Sequence, residues 1–315
     1  MSAGRSRRLL RWPTLARRWS LIGVPYLWMA LLFAVPFLIV LKISLASLAI
    51  AMPPYTPLWV SSGGGIALQA HLDNYRALFT TPVYVLAFLG SLKIALVSTA
   101  LMLLLGYPLA YCIARLPPAR RDLALMLVVL PSWTSFLLRA YAWIGLLKAN
   151  GPLGLLLQKT GVVALLRTLG WIDGHQLLYT PVAAYLGIVY CYLPFMVLPL
   201  YANLVKHDPR LLEAAYDLGA RPGRAFVSIT LPLSRAGIVA GCMLVAIPVV
   251  GEYVIPELMG GPDTRMIGRV LWNEFFANRD WPKASAIAVV MLALLLVPIL
   301  WFNRLQRRQL GQART

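Results

Sequence analysis

Charged residues are scarce in this sequence. Lysine, arginine, aspartate and glutamate together make up 13% of the 315 residues, whereas hydrophobic residues make up 60%. Soluble domains carry about a quarter charged residues and about half apolar ones. The composition is therefore atypical of a soluble protein, it excludes disorder for the bulk of the chain, and it predicts a protein embedded in a membrane.

Acidic residues are the scarcest charged class. There are 11 of them against 29 lysines and arginines, which gives a formal net charge of +18. A basic chain can bind nucleic acid, but a soluble nucleic-acid binder is not this apolar. We therefore expect contact with membrane lipid and no nucleic-acid partner, and the positions of the basic residues become the informative feature.

Cysteines and catalytic motifs are also few or missing. The three cysteines, Cys112, Cys191 and Cys242, fall far apart inside apolar segments, so they predict neither a disulfide framework nor a metal site. The sequence contains no Gly-x-x-x-x-Gly-Lys-Ser/Thr phosphate loop and no His-Glu-x-x-His zinc motif. We expect no catalytic residue, metal or cofactor in this chain, and any ATP and magnesium must be bound elsewhere.

Long apolar runs are what the sequence does contain. A helix needs about 20 apolar residues to cross the hydrocarbon core, and six stretches reach that length. We therefore predict an all-α polytopic membrane protein with six transmembrane helices. Their approximate bounds are Leu21–Leu41, Tyr84–Ala114, Leu123–Leu147, Pro181–Val205, Ala236–Leu258 and Ala284–Phe302.

The basic residues predict the orientation of these helices. Eighteen lysines and arginines lie in the two tails and in the loops that follow the second and fourth helices, whereas the alternate loops hold eight. Because lysine and arginine favour cytoplasmic loops, both termini are predicted to be cytoplasmic. The expected organisation is a basic tail (1–20), a six-helix membrane domain (21–304) with a cytoplasmic loop at 206–235, and a second tail (305–315).

The loop after the fourth helix carries the signals of a short helix. Asp208 is a good N-cap and Pro209 suits the first helical position, where a missing N–H costs nothing. Gly219 suits the left-handed position that ends a helix. We predict a helix over Pro209–Leu218. Its apolar residues are equally compatible with a connector that rests on the membrane surface.

The same loop resembles a known family motif. Glu213-Ala214-Ala215, then Gly219, then Ile229-x-Leu231-Pro232 reproduce the EAA loop of ABC importer permeases. The resemblance implies a type I ABC importer permease fold in which this loop forms a coupling helix that docks on a cytoplasmic ATPase dimer. The matching residues, with two more from the same loop, make up the expected coupling surface: Glu213, Ala214, Ala215, Asp217, Gly219 and Arg221.

Further characteristic runs begin at Pro53, Leu130, Arg139, Tyr192, Gly251 and Gly260. These runs resemble the polyamine permeases within that family, with putrescine permease subunits the most similar and spermidine/putrescine subunits next. The resemblance implies an inner-membrane subunit of a bacterial importer, a second homologous permease that completes a heterodimer, and a periplasmic polyamine-binding protein.

Ionisable residues inside the predicted spans are candidates for a substrate path. A diprotonated diamine needs carboxylates and aromatic faces, which are offered by Glu252, Tyr253, Glu257, Trp272 and Tyr141. Glu252 and Glu257 are five residues apart, so on a regular helix they point about 140° apart. They can face one cation only if the helix breaks between them, for example at Pro256.

A structural role for these charges is equally open. Arg139 lies 17 residues beyond Asp122 and Glu252 lies 17 residues beyond Arg235, so both should lie about 25 Å from the cytoplasmic ends of their helices. Glu252 could therefore pair with Arg139 or with Lys93, since an unpaired buried charge is costly. Glu257 could equally be a solvated helix end.

The sequence as a whole predicts a transporter subunit without enzymatic activity, most closely similar to those for putrescine. A permease for another small cationic or organic substrate is an alternative. A gradient-driven secondary transporter or channel, powered through Glu252, Arg139 and Lys93, is a further alternative. Such a protein would have no use for an ATPase-docking loop.

Overall fold

A computed structural model describes the backbone of residues 12–62, 65–262 and 264–312, and the side chains of 22–59, 69–262, 264–300 and 304. Of the predicted tail 1–20, residues 1–11 and the side chains of 12–20 lie outside the described residues. The same holds for residues 313–315 and for the side chains of the tail 305–315.

The described elements of the first half are helices and one hairpin, in which strands β1 and β2 are antiparallel and pair Trp59 with Leu68. A 3₁₀ turn at Leu130–Trp133 separates α4 from α5. The elements are α1 (Trp12–Ser44), β1 (Trp59–Ser62), β2 (Gly65–Leu68), α2 (Asp73–Thr80), α3 (Pro82–Ala114), α4 (Pro118–Val129), α5 (Phe136–Leu147), α6 (Pro152–Lys159) and α7 (Val162–Thr168).

The second half is helical throughout its described elements. It includes two π-helical turns, at Phe226–Thr230 and Asn273–Ala277. The helices are α8 (Pro181–Leu204), α9 (Arg210–Asp217), α10 (Pro222–Ala225), α11 (Leu231–Leu233), α12 (Arg235–Val250), α13 (Val254–Met259), α14 (Ile267–Trp272) and α15 (Trp281–Gln312).

The predicted spans correspond to four long helices and two bent pairs. The long apolar helices are α1, α3, α8 and α15. The third predicted span bends by 89° between Trp133 and Phe136, and the segment Pro222–Leu233 meets α12 at 63°. The described residues therefore contain up to six spans, as predicted, but the third and fifth are not continuous helices.

The bend in the third span supplies its own hydrogen-bond partners. Ser132 Oγ donates to the carbonyl of Val129 at 2.6 Å, and Thr134 Oγ1 donates to the carbonyl of Pro131 at 2.8 Å. Backbone groups freed by a break at membrane depth need such partners, because hydrocarbon offers none. The two hydroxyls supply hydrogen-bond donors to two backbone carbonyls at the bend.

The chain divides into two compact units, one made of residues 1–77 with 274–290 and the other of 78–273 with 291–315. In the first unit, the end of α1 is tied to the start of α2. Asn74 Nδ2 donates to the carbonyls of Ser44 and Ala46 at 3.0 and 2.8 Å, and the Tyr75 hydroxyl lies 2.7 Å from Ser44 Oγ. These hydrogen bonds hold together the two ends of the long connection between α1 and α2.

The second unit is centred on the packing of α3, α8 and α12. Its fully buried side chains include Met102 on α3, Ile188 and Met196 on α8, and Val245 on α12. A side chain at Gly237 would place its Cβ 2.7 Å from the Cβ of Asn203. The GxxxG pattern at 237–241 thus permits close contact between α12 and α8.

We predict that Gly237→Leu lowers the stability of the folded subunit by about 1–3 kcal/mol, the usual cost of overpacking. The measurement is the melting temperature of the purified transporter in detergent. Gly145→Leu is the matched control, because nothing lies within 4 Å of a Cβ built at Gly145. Equal melting temperatures for the two variants would contradict this packing.

Candidate functional sites: an exposed loop helix and a broken span

The helix predicted in the loop at 206–235 is present as α9. It runs from Arg210 to Asp217, within one residue of the prediction at each end. Asp208 Oδ1 accepts a hydrogen bond from the Arg210 amide at 3.0 Å, and Gly219 ends the helix in the left-handed region with φ of +82°. The local signals of capping and chain reversal therefore define this helix.

The expected coupling residues all lie on α9 or directly after it, and none of the α9 residues is buried. Glu213, Ala214 and Asp217 are exposed and Ala215 is half-buried. Leu218, which caps the helix, is 89% exposed. Beyond Gly219, Arg221 is the N-cap of α10.

One side of α9 lines a cavity of about 500 Å³. Leu212, Glu213 and Tyr216 contribute to that wall, whereas Ala214, Asp217 and Leu218 do not. The helix thus has an inner side and an outward surface, which we define as Ala214, Asp217 and Leu218. The rest of the lining comes from α3, α4, α8 and the segment before α12 and includes Tyr111, Arg115, Arg121, Leu204, His207, Ile229, Thr230 and Leu233.

Aromatic contacts connect the loop to the second membrane span. Phe226, in the π-helical turn after α10, packs edge-on against Tyr107 and Tyr111 of α3, with ring centroids 5.7 Å apart in both pairs. The Tyr107 hydroxyl lies 2.9 Å from Ser234 Oγ, directly before α12. A displacement of the loop would therefore act on α3 and on the start of α12.

The second site surrounds a break in the fifth span. The prediction of one helix through Leu258 is wrong, because α12 ends at Val250 and α13 begins at Val254. Glu252 lies in the break and is 6% exposed. Its Oε1 accepts hydrogen bonds from the amides of Val254 at 2.9 Å and Ile255 at 3.4 Å, and its Oε2 accepts one from the Tyr192 hydroxyl.

Glu252 therefore has a different set of partners from those predicted. In the described part of the chain it is hydrogen-bonded to Tyr192 and to backbone amides rather than paired with Arg139 or Lys93. Arg139 Nη1 instead donates to the carbonyl of Cys191 at 3.2 Å, and Lys93 is exposed on α3. Arg139 lies beyond the 89° bend in the third span, so Arg139 and Asp122 are not on one straight helix.

Three of the remaining path candidates, Tyr253, Glu257 and Trp272, lie on or beside α13 and α14. Tyr253 and Trp272 stack with centroids 4.6 Å apart and planes 16° apart. Glu257 Oε2 lies 2.5 Å from Arg269 Nε, and both side chains are about one-third exposed. Tyr141, which is 57% exposed on α5, takes no part in these contacts.

The break also separates the environments of Glu252 and Glu257, which the sequence placed on one continuous helix. It lies before Val254 and thus ahead of Pro256, which is part of α13. Glu252 is buried with both oxygens engaged, whereas Glu257 is exposed and paired with Arg269. The two therefore differ in environment as well as in direction.

Two residues of this site were not predicted from the sequence as site residues, namely Tyr192 and Arg269. Tyr192 is 60 residues from Glu252 along the chain, and Arg269 follows a loop whose path the sequence does not define. The sequence did contain one indication for Tyr192, because its hydroxyl lies within a predicted span, where a polar group needs a hydrogen-bond partner.

Comparison with known proteins agrees with these features. The family described as binding-protein-dependent transport system inner membrane component matches residues 1–311. The spermidine/putrescine transport system permease protein PotB of Haemophilus influenzae is 34% identical over 291 residues, covering 91% of this chain and 94% of that protein. PotB of Escherichia coli K12 is 39% identical over 236 residues, covering 75% and 82%.

A solved structure has the same fold. In the crystal structure of a bacterial alginate ABC transporter in complex with an alginate pentasaccharide-bound periplasmic protein, one chain matches with a TM-score of 0.60 and 20% identity. The match covers 95% of this chain and 97% of that one. At this identity the likeness supports the type I permease fold alone.

The chain belongs to the family of binding-protein-dependent transport system inner membrane components. It is a permease subunit of an ABC importer and lies in the inner membrane. It is not an enzyme, and ATP hydrolysis belongs to a separate subunit. The family assignment rules out the gradient-driven transporter considered from the sequence.

We predict that Tyr192→Phe destabilises the subunit by about 0.5–2 kcal/mol, the range for hydrogen bonds between membrane helices. Glu252→Ala should cost more, about 1–3 kcal/mol, because the amides of Val254 and Ile255 also lose their acceptor. The measurement is the free energy of unfolding in mixed micelles. The control is Tyr190→Phe, since Tyr190 lies on the same helix and is 37% exposed. Equal effects of Tyr192→Phe and Tyr190→Phe would contradict the assigned bond.

Proposed function

We propose that this permease imports polyamines, with putrescine as the preferred substrate. The observation that carries the proposal is the identity of 34–39% to spermidine/putrescine permeases over most of the chain. The candidates on or beside α13 and α14 support it, because an aromatic stack and a partly exposed carboxylate suit a diammonium ligand. Spermidine and other small cations are the alternatives within the same class.

Glu257 and the Tyr253–Trp272 stack are the proposed contacts for the cation. Arg269 neutralises Glu257 in this structure, so an ammonium group must compete with a guanidinium for the carboxylate. Glu252 has both oxygens occupied by its own chain. Its proposed role is to hold α13 in place. This positions Tyr253, which is the N-cap of α13, and Glu257, which lies four residues later in the first turn.

The outward surface of α9 is proposed to dock on the ATPase. Small Ala214 lets a partner approach closely, and Leu218 offers apolar area that this chain leaves exposed. The remaining proposed partners are a cytoplasmic ABC ATPase dimer that binds ATP and magnesium, a second homologous permease, and a periplasmic polyamine-binding protein. The alginate transporter was crystallised with a periplasmic protein, which supports this kind of partner.

The proposed transmission follows the contacts between the two sites. Closure of the ATPase dimer displaces α9, and the Phe226 contacts with Tyr107 and Tyr111 pass the displacement to α3. Helix α12 begins directly after Ser234 and ends at the break that holds Glu252. Movement of the loop thereby reaches α13 and the cation contacts.

The test is ATP hydrolysis by the complete transporter in proteoliposomes with its periplasmic binding protein. We expect putrescine to stimulate hydrolysis several-fold, with spermidine weaker and an uncharged diol of the same length inactive. Glu257→Gln should shift the putrescine response to higher concentration while basal hydrolysis is unchanged. Stimulation by the diol, or no response to any polyamine, would overturn the substrate assignment.

A further inference from the structure

The segment between α5 and α8 forms a hairpin of two short helices. Helix α6 has eight residues and α7 has seven, which makes them about 12 and 10 Å long. Neither can cross a bilayer core of about 30 Å. Gly161 joins them with φ of +76°, and Gly170 ends α7 with φ of +71°. The glycines turn the chain sharply, so that both helices stay at the end of α5.

The inner side of this hairpin is packed against the rest of its unit. Gly154 and Val163 are buried, and Ile172, just after the hairpin, is 3% exposed. A side chain at Gly154 would collide with the carbonyl of Lys148 at the end of α5. The hairpin is therefore a fixed structural element with a defined outer side.

The outer side of the hairpin is apolar. Five large hydrophobic side chains are between 42% and 61% exposed. We call them the apolar face of the hairpin. Within α7, Leu165 and Leu169 lie four residues apart and thus on the same side. The members are Leu155, Leu156, Leu165, Leu169 and Trp171.

A polar side accompanies the apolar face. Gln158 Nε2 donates to the carbonyl of His175 at 3.2 Å, and Arg167 Nη1 lies 3.3 Å from His175 Nδ1. These three residues, with Val163 and Ala164, line a surface groove of about 350 Å³. The hairpin is thus amphipathic, with hydrogen-bonding groups on one side and leucines on another.

The two helices of the hairpin carry basic residues and no acidic ones, and the nearest acidic residue along the chain is Asp173. No aspartate or glutamate occurs from residue 123 to residue 172, whereas Lys148, Lys159 and Arg167 lie at or in the hairpin. Amphipathic helices with basic residues and exposed Leu and Trp lie in the membrane interface, where basic residues attract anionic headgroups. The flanking elements α5 and α8 belong to membrane spans, so the hairpin starts within a few residues of the bilayer surface.

We propose that α6 and α7 form an interfacial anchor that binds anionic phospholipid. The apolar face enters the boundary between headgroups and acyl chains, and Lys159 and Arg167 reach the lipid phosphates. Because α8 crosses the membrane between the hairpin and α9, the anchor lies on the side opposite the ATPase-docking surface. It fixes the end of α5 at a set depth while the coupling loop moves on the other side.

The test measures the depth of single spin labels in the complete transporter reconstituted in nanodiscs. Cysteines replace Leu165 or Leu169 in a chain whose three native cysteines have been changed to alanine. Apolar oxygen should relax these labels several-fold more effectively than a water-soluble nickel complex. The matched control is Ala164→Cys, on the groove side of the same helix, where the nickel complex should relax the label more effectively.

The opposite ratio at Leu165 and Leu169 would place the face in water, and low accessibility to both reagents would mean that protein covers it. Either result overturns the anchor. If the cysteine-free chain does not assemble, a photoreactive amino acid at the same positions in the native background replaces the label. Lipid adducts at 165 and none at 164 are then expected by mass spectrometry, and protein adducts or no adducts at 165 would overturn the anchor.

The preference for anionic lipid has a separate test. Lys159→Gln combined with Arg167→Gln should reduce oxygen accessibility at position 169 in phosphatidylglycerol nanodiscs and leave it unchanged in phosphatidylcholine. An equal change in both lipids, or none in either, would overturn the electrostatic part of the proposal.

Discussion

A break between two helices releases backbone groups that need hydrogen-bond partners wherever water cannot reach them. Glu252 resolves this problem where α12 gives way to α13. One carboxylate oxygen caps the first amides of α13, and the other accepts the hydroxyl of Tyr192 from α8. The carboxylate thus fixes both the position of the break and its attachment to the neighbouring span. The contacts of Tyr253 with Trp272 and of Glu257 with Arg269 depend on α13 being held there.

Helix α12 links the two candidate sites directly. It has 16 residues and is therefore about 24 Å long. At one end Ser234 contacts Tyr107 beside the loop that contains α9, and just beyond the other end Glu252 holds the break. Close contact with α8 along Gly237 and Gly241 keeps the two helices together. In the proposed mechanism this pair moves as one body when α9 is displaced.

The features predicted correctly from the sequence depend on local chemistry. Asp208, Pro209 and Gly219 define α9 to within one residue, because capping and left-handed backbone are properties of neighbouring residues. The membrane spans follow from composition alone. The breaks do not, because an apolar stretch looks the same whether its helix is straight or bent. The hydrogen bond between Tyr192 and Glu252 could not be predicted from the sequence either, because helix packing brings together residues 60 positions apart.

The central claim is that this chain moves substrate only when an ATPase acts on α9. The most direct measurement is uptake of radiolabelled putrescine into proteoliposomes that contain the complete transporter, its binding protein and enclosed ATP. Ala214→Trp, which places a bulky side chain on the outward surface of α9, should reduce uptake to the level seen without ATP. Val227→Trp, at an exposed position outside α9, should leave it nearly unchanged. ATP-independent uptake by the permease alone, or full uptake by Ala214→Trp, would contradict the account.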